Sequence, residues 1–221
     1  MSLPLILEGF QYLCSVRKLN EETIRTFGIG YCDPQGELYF PADYTGTLPK
    51  LDNRFYNSVV WPIIDLFGVT VGASARPLVS KPNMPKYLNT IYEKADHLYG
   101  LNISFREALK EQKLYIVEGN VDVLQTWQAG VKNVAGMLGS NFSFNQLCLA
   151  TRFVKNLVFV PDPDKAGRGL LGRMQEAIDK KFYDSDLSFS YIELPECLDP
   201  DKYFLKYTKE DFKALPEKEL V

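Results

Sequence analysis

From Leu114 onward the chain alternates short apolar runs with longer stretches of helical spacing. Residues 114–117 read as a buried strand, and 131–135, 157–160 and 187–194 as three further strands. A short continuous apolar run such as 114–117 suits a strand covered on both faces. Between them, residues 121–128, 144–153 and 166–182 carry helical spacing. Asn120 and Ser143 stand where N-caps belong. Lys180 and Lys181 close the last helix, where cations suit the helix dipole. Such alternation predicts an α/β domain: a parallel sheet with right-handed crossovers and helices on both faces.

The first half has a different pattern. Residues 4–15 read as an amphipathic helix. A second, short helix is capped by Asn20 and ends at Gly28. Residues 54–64 and 69–76 flank Asp65-Leu66-Phe67-Gly68, a hairpin turn with glycine at its last position. The expected organisation is a small α+β subdomain over 1–110, the parallel-sheet domain over 111–198 and a short charged segment over 199–221. The tail after Leu215 is expected to fray.

The polar residues that end the apolar runs carry the chemistry. Glu118 follows the first run and Asp122 comes four positions later. Asp162-Pro163-Asp164 follows the third run, and Asp199-Pro200-Asp201 the fourth. In open α/β sheets, ligands bind beyond the carboxyl ends of the strands. Hard cations such as Mg²⁺ take oxygen ligands and keep waters and substrate phosphates in their shell. Pro163 holds Asp162 out of the helical region. In extended backbone, positions two apart face one side, so Asp162 and Asp164 suit a shared cation. Each group also has a plainer reading. Glu118 or Asp122 can cap a helix, and the two Asp-Pro-Asp segments can be simple turns. Arg168, after the small pair Ala166-Gly167, is a candidate for holding a phosphate or one of the carboxylates.

Composition narrows the class. The 221 residues are 46% hydrophobic, enough for a sizeable core, and net charge is −3. That excludes a generic basic nucleic-acid binder. A local excess of cations between Lys50 and Lys94 nevertheless offers a basic surface. No apolar run reaches the ~18 residues of a membrane span. The four cysteines are scattered and His97 is the only histidine, so zinc is not expected. Free thiols without an export signal point to a reducing, cytoplasmic compartment.

These motifs carry a resemblance. Val117-Glu118-Gly119 with Asp122-Val123, Asp162-x-Asp164-Lys-Ala-Gly-Arg168, and Leu194-Pro195 with Asp199-Pro200-Asp201 resemble the TOPRIM domain of bacterial DnaG-type DNA primases. Upstream, Leu19–Gly30, Arg54-Phe55, Trp61-Pro62-Ile63, Gly72 with Arg76, Pro85-Lys86-Tyr87-Leu88-Asn89 and Leu98-Tyr99-Gly100-Leu101 resemble the N-terminal part of the same catalytic core. Coverage is roughly residues 10–205. The acids alone are shared with topoisomerases and small nucleases; the upstream motifs are narrower.

The resemblance implies a DNA-directed RNA polymerase of the primase type. It would make short RNA primers from ribonucleoside triphosphates on a single-stranded DNA template, using Mg²⁺ or Mn²⁺. It implies catalytic roles for Glu118, Asp162 and Asp164, and a metal cluster of Glu118, Asp122, Asp162, Asp164, Asp199 and Asp201. It places Arg54, Arg76, Lys86 and Lys94, with Asn89 beside them, at nucleotide- and template-binding positions. Pro163 stands where the family usually has glycine, and Ala95 replaces another glycine. The 221 residues carry neither the family's zinc-binding module nor its helicase-binding region. The expectation is therefore a stripped core of the phage type. A helicase, a single-strand-binding protein or a separate zinc-bearing subunit would be its partners. A TOPRIM nuclease and a non-catalytic replisome adaptor are the competing readings.

Overall fold

The computed structural model describes residues 8–79, 84–139, 142–181 and 186–220. It divides into two compact units, Met1–Tyr92 and Glu93–Val221.

In the first unit, α1 (Glu8–Gln11) runs directly into a π-helical turn over Tyr12–Val16. The helix expected over 4–15 is therefore irregular over its described residues, and its beginning lies outside them. Asn20 caps α2 (Glu21–Thr26) as expected: its Oδ1 accepts the Thr23 N–H at 2.8 Å. Gly28 leaves that helix with φ +60°, a region that favours glycine.

The sheet of this unit is antiparallel, in the order β2-β1-β3-β4-β5. Its strands are β1 (Gly30–Cys32), β2 (Leu38–Tyr39), β3 (Ser58–Ile64), β4 (Thr70–Pro77) and β5 (Leu88–Asn89). The β3–β4 hairpin is closed by Asp65, whose Oδ1 accepts the N–H groups of Phe67 and Val69, each at 2.9 Å. Strand β1 pairs with β3 only over Ser58–Val60, so Pro62 lies where that side is open. Cys32, Phe55, Val60, Ala73, Ala75 and Leu88 form a buried cluster.

The second unit has the expected parallel sheet, in the order β10-β9-β8-β6-β7. Strands β6 (Lys113–Val117), β7 (Val134–Gly136), β8 (Asn156–Phe159) and β9 (Ser188–Tyr191) pair in parallel. Their connections carry α4 (Asn120–Gln128), α5 (Phe144–Thr151) and α6 (Lys165–Lys181). Helix α3 (Leu101–Glu111), which the sequence pattern groups with the first subdomain, packs on β6 and β7. There the Ser104 hydroxyl donates to the Val134 carbonyl at 2.7 Å.

Two local expectations are corrected. The N-cap of α4 is Gly119 rather than Asn120, because Asp122 reaches back to the Gly119 N–H at 3.0 Å. The tail does not fray after Leu215. After α7 (Pro200–Tyr203) and α8 (Lys209–Lys213), β10 (Lys218–Glu219) adds antiparallel to β9. Lys113 Nζ holds Glu217 at 2.6 Å, and Phe212 is buried against Tyr115 and Tyr203. An anchored aromatic and an ion pair offset the ordering cost of that end.

Candidate active site

Strands β6, β8 and β9 run in one direction, so their carboxyl ends share one edge of the sheet. Glu118 leaves β6, Asp162 and Asp164 follow β8, and Asp199 and Asp201 follow β9. Backbone hydrogen bonds tie these loops together. The Glu118 carboxylate accepts the Asp162 N–H at 3.1 Å. Asp122 Oδ1 accepts the Asp201 N–H at 3.0 Å, while its Oδ2 holds Gly119.

The acids differ in what they already do. Asp164 is exposed, and its Oδ1 accepts the Gly167 N–H at 2.9 Å, capping α6. Asp199 caps α7 through the Lys202 N–H at 2.9 Å and pairs with Lys202 Nζ at 2.6 Å. Asp122 spends both oxygens on backbone donors. Glu118 stands before α4, so no helical stacking brings it against Asp122. Asp162 is the exception. Its Oδ1 is buried and has no hydrogen-bond partner among the described residues. A buried carboxylate oxygen left unpaired is costly.

The electrostatics show that the loops sense one another. Burial, and then the charges of Asp162, Asp199 and Asp201, push Asp122 up to about 8. Burial, and then Glu118, Asp199 and Asp164, push Asp162 up to about 7. Glu118 is also raised, by burial first and by Asp164 after it, although the Asp162 N–H and Arg173 oppose this. Carboxylates that raise one another's pKa even with Lys202 and Arg173 opposing suit an added cation. Among the described residues no three carboxylates form a ready-made cage. That is compatible with a cation that keeps waters and phosphate oxygens in its shell. The all-oxygen donor set and the orphaned Asp162 oxygen therefore fit a hard divalent cation.

Two of the cationic positions, Arg76 and Lys86, are gathered on an aromatic ring, Tyr87. In the first unit, Arg76 Cζ lies 5.5 Å and Lys86 Nζ 5.6 Å from the centre of the Tyr87 ring. Trp61 packs on the same ring, with centroids 5.8 Å apart. Arg76 Nη1 and Trp61 Nε1 are buried without hydrogen-bond partners among the described residues. Asn89 accepts the Tyr92 hydroxyl at 3.3 Å. Arg54 is exposed and already bound to Asp52, with Nε 2.9 Å from Oδ1 and Nη2 2.7 Å from Oδ2. In the second unit, Lys94 begins a 3₁₀ turn over Lys94–Asp96, and loss of hydration holds its amine below the usual lysine range. Arg168 is on the first turn of α6; its side chain lies outside the described residues. Only the position of Tyr87, beside Lys86 in a Pro-Lys-Tyr-Leu-Asn motif, signals its role in the sequence.

A parallel-sheet domain with linked acids at its strand ends defines the Toprim class, and residues 115–204 match the Toprim-like family model. Residues 44–104 match the N-terminal domain of the DNA primase catalytic core. The DNA primase of Enterococcus faecalis is 30% identical over 90% of this chain and 35% of its own length. That of Clostridium acetobutylicum is 31% identical over 91% of this chain and 36% of its own. The chain thus spans about a third of the length of the curated relatives it matches. A DNA primase domain from Pseudomonas aeruginosa superposes with a TM-score of 0.81 at 25% identity, covering 98% of this chain and 74% of that one. A DnaG primase catalytic domain bound to single-stranded DNA gives 0.80 at 26%, covering 98% and 76%. The chain belongs to the DnaG-type DNA primase family and corresponds to its catalytic core.

Proposed function

We propose that this chain synthesises short RNA primers on single-stranded DNA from ribonucleoside triphosphates. The observation that carries the reading is the buried, unpartnered Oδ1 of Asp162 beside Glu118, at an edge where further acids raise its pKa. Glu118, Asp162 and Asp164 would hold a divalent ion, with Asp199, Asp201 and Asp122 around them. Such an ion, Mg²⁺ or Mn²⁺, neutralises triphosphate charge and favours attack by a primer 3′-hydroxyl when bound.

The protein's own contribution is positioning. Glu118 fixes the loop after β8 through the Asp162 N–H, and Asp122 fixes the start of α7 through the Asp201 N–H. Held loops keep the carboxylates in place without reorganisation during reaction. Arg76, Lys86 and Asn89 in the first unit, and Lys94 and Arg168 in the second, contribute contacts to phosphates of template or nucleotide. A zinc-bearing module and a helicase are the partners this reading implies for template selection and recruitment.

The test is direct. The protein is incubated with single-stranded DNA, labelled ribonucleotides and Mg²⁺ or Mn²⁺, and products are resolved by length. Short RNA is expected, reduced at least about a hundredfold in Asp162→Ala. Metal-dependent cutting of DNA without synthesis, or wild-type synthesis by a folded Asp162→Ala, would overturn the reading.

A further inference from the structure

The turn that carries Lys94 is held from outside by the first turn of α5. Its own bonding is meagre: the Asp96 N–H reaches Glu93 O at 3.1 Å and the His97 N–H reaches Lys94 O at 3.3 Å. The external bonds are stronger. Gln146 is 1% exposed. Its Nε2 lies 3.0 Å from the Lys94 carbonyl, 2.8 Å from that of His97 and 2.8 Å from that of Met137. Its Oε1 accepts the Ser143 N–H at 2.9 Å, fixing which way the amide faces. Ser143 Oγ donates to the Ala95 carbonyl at 2.5 Å. Asn145 Nδ2 donates to the Asp96 carboxylate at 2.7 Å.

Each of these contacts has a consequence for Lys94. The primary amide of Gln146 spends both hydrogens on three carbonyls, so its nitrogen fixes the backbone of the turn at both ends. An apolar replacement leaves those carbonyls unpaired in a buried place. Asn145 occupies the Asp96 carboxylate, which lies on the same turn as Lys94. The capping arrangement at Ser143 alone would satisfy the helix; the reach of Gln146 across to residues 94 and 97 goes beyond capping. We propose that Gln146 is a positioning residue that sets Lys94 for its phosphate contact. This rests on the reading of Lys94 as a phosphate-binding residue given above.

Lys94→Ala, Gln146→Met and the double variant are compared with wild type in the full chain. Affinity is measured for a labelled single-stranded oligonucleotide and, separately, for a ribonucleoside triphosphate with Mg²⁺. Circular dichroism and melting temperature establish folding. Lys94→Ala is expected to weaken one of these ligands about tenfold, the scale of a lost charged hydrogen bond. Gln146→Met is expected to weaken the same ligand several-fold and to add less than about twofold in the Lys94→Ala background. A general loss of core integrity would instead multiply in the double variant, and that result would overturn the proposal. So would a folded Gln146→Met that binds both ligands as wild type while Lys94→Ala does not. Wild-type binding by Lys94→Ala itself would remove the phosphate role of Lys94 and this inference together. If Gln146→Met does not fold, Ser143→Ala, which removes the hydroxyl holding Ala95, is judged by the same two criteria.

Discussion

Asp122 and Asp201, far apart in sequence, are joined by a 3.0 Å hydrogen bond from the Asp201 N–H to the Asp122 carboxylate. The bond fastens the start of α7 to the start of α4, and with it the last acidic loop to the first. It also places a buried carboxyl within the field of Asp162, Asp199 and Asp201.

That field predicts an unusual pH dependence for the metal-free protein. Unfolded aspartates ionise near ~4, whereas folding pushes Asp122 up to about 8 and Asp162 up to about 7. Between these limits the folded state binds more protons than the unfolded state, so stability falls as pH rises. Asp52, Asp211 and Glu196 are shifted downward by their partners and act below this window. With chelator present, the melting temperature is expected to be higher at pH 5.5 than at pH 8. Mg²⁺ should raise it more at pH 8, where the acids must otherwise be charged and unpaired. Melting curves across the series decide it: a metal-free protein more stable at pH 8 than at pH 5.5 contradicts the shifts.

Gly167 fixes how closely α6 approaches the loop after β8. A Cβ at this position would lie 2.1 Å from the Asp162 carbonyl oxygen, a backbone atom that cannot swing aside. The Gly167 N–H also holds Asp164 at 2.9 Å. Gly167→Ala is expected to destabilise by about 1–3 kcal/mol, the usual scale of overpacking. Primer synthesis should fall more than tenfold, because both Asp162 and Asp164 shift. Thermal melts and product gels on one preparation test both; unaltered synthesis would mean that this close approach does not position the acids.

The parallel sheet was legible because β6 and β8 are continuous apolar runs ending in acids, a pattern few other arrangements produce. The caps at Asn20 and Ser143 were legible for a similar reason: short polar side chains immediately precede helical spacing. Gly119 escaped because its helix is capped in reverse, by Asp122 reaching back, so the informative side chain comes after the cap. Strand β10 escaped because its partner Tyr191 is remote in sequence, and two residues carry no periodicity. The acids could be listed from the sequence, but their division of labour could not. Whether an aspartate caps a helix, as Asp164 and Asp199 do, or lies buried without a partner, as Asp162 Oδ1 does, depends on the packing of neighbouring loops.

The loop ahead of Asp199 contains two consecutive non-glycine residues in the left-handed region, Glu196 at φ +57° and Cys197 at φ +52°. Each costs ~1–2 kcal/mol relative to ordinary backbone. Glu196 has compensation: Lys206 Nζ and the Tyr207 hydroxyl hold its carboxylate at 2.8 and 2.7 Å. Cys197 is exposed. Cys197→Gly should therefore stabilise by about 0.5–1 kcal/mol after the entropy of an added glycine is deducted, raising the melting temperature by about 2 °C. Glu196→Gly, which loses both contacts, should not. A lower melting temperature for Cys197→Gly would show that the thiol makes a compensating contribution.

The cations of the first unit should differ in their effect on binding, in an order set by their existing partners. Arg54 already spends its guanidinium on both oxygens of Asp52, so freeing it for a phosphate means breaking that pair. Arg76 and Lys86 are gathered instead on the face of Tyr87. An aromatic face attracts a cation without neutralising it, leaving the charge available to a phosphate. Each phosphate contact removed should lower the slope of log affinity against log salt by ~0.7 for a single strand. Lys86→Ala and Arg76→Ala are each expected to flatten the slope by about this amount, and Arg54→Ala by less. Tyr87→Leu should weaken binding while leaving the slope closer to wild type, because it displaces both charges without deleting either. Titrations of a labelled single-stranded oligonucleotide from low to moderate salt provide the comparison. Slopes unchanged in both Lys86→Ala and Arg76→Ala would leave the Tyr87 cluster as packing alone, with no part in holding nucleic acid.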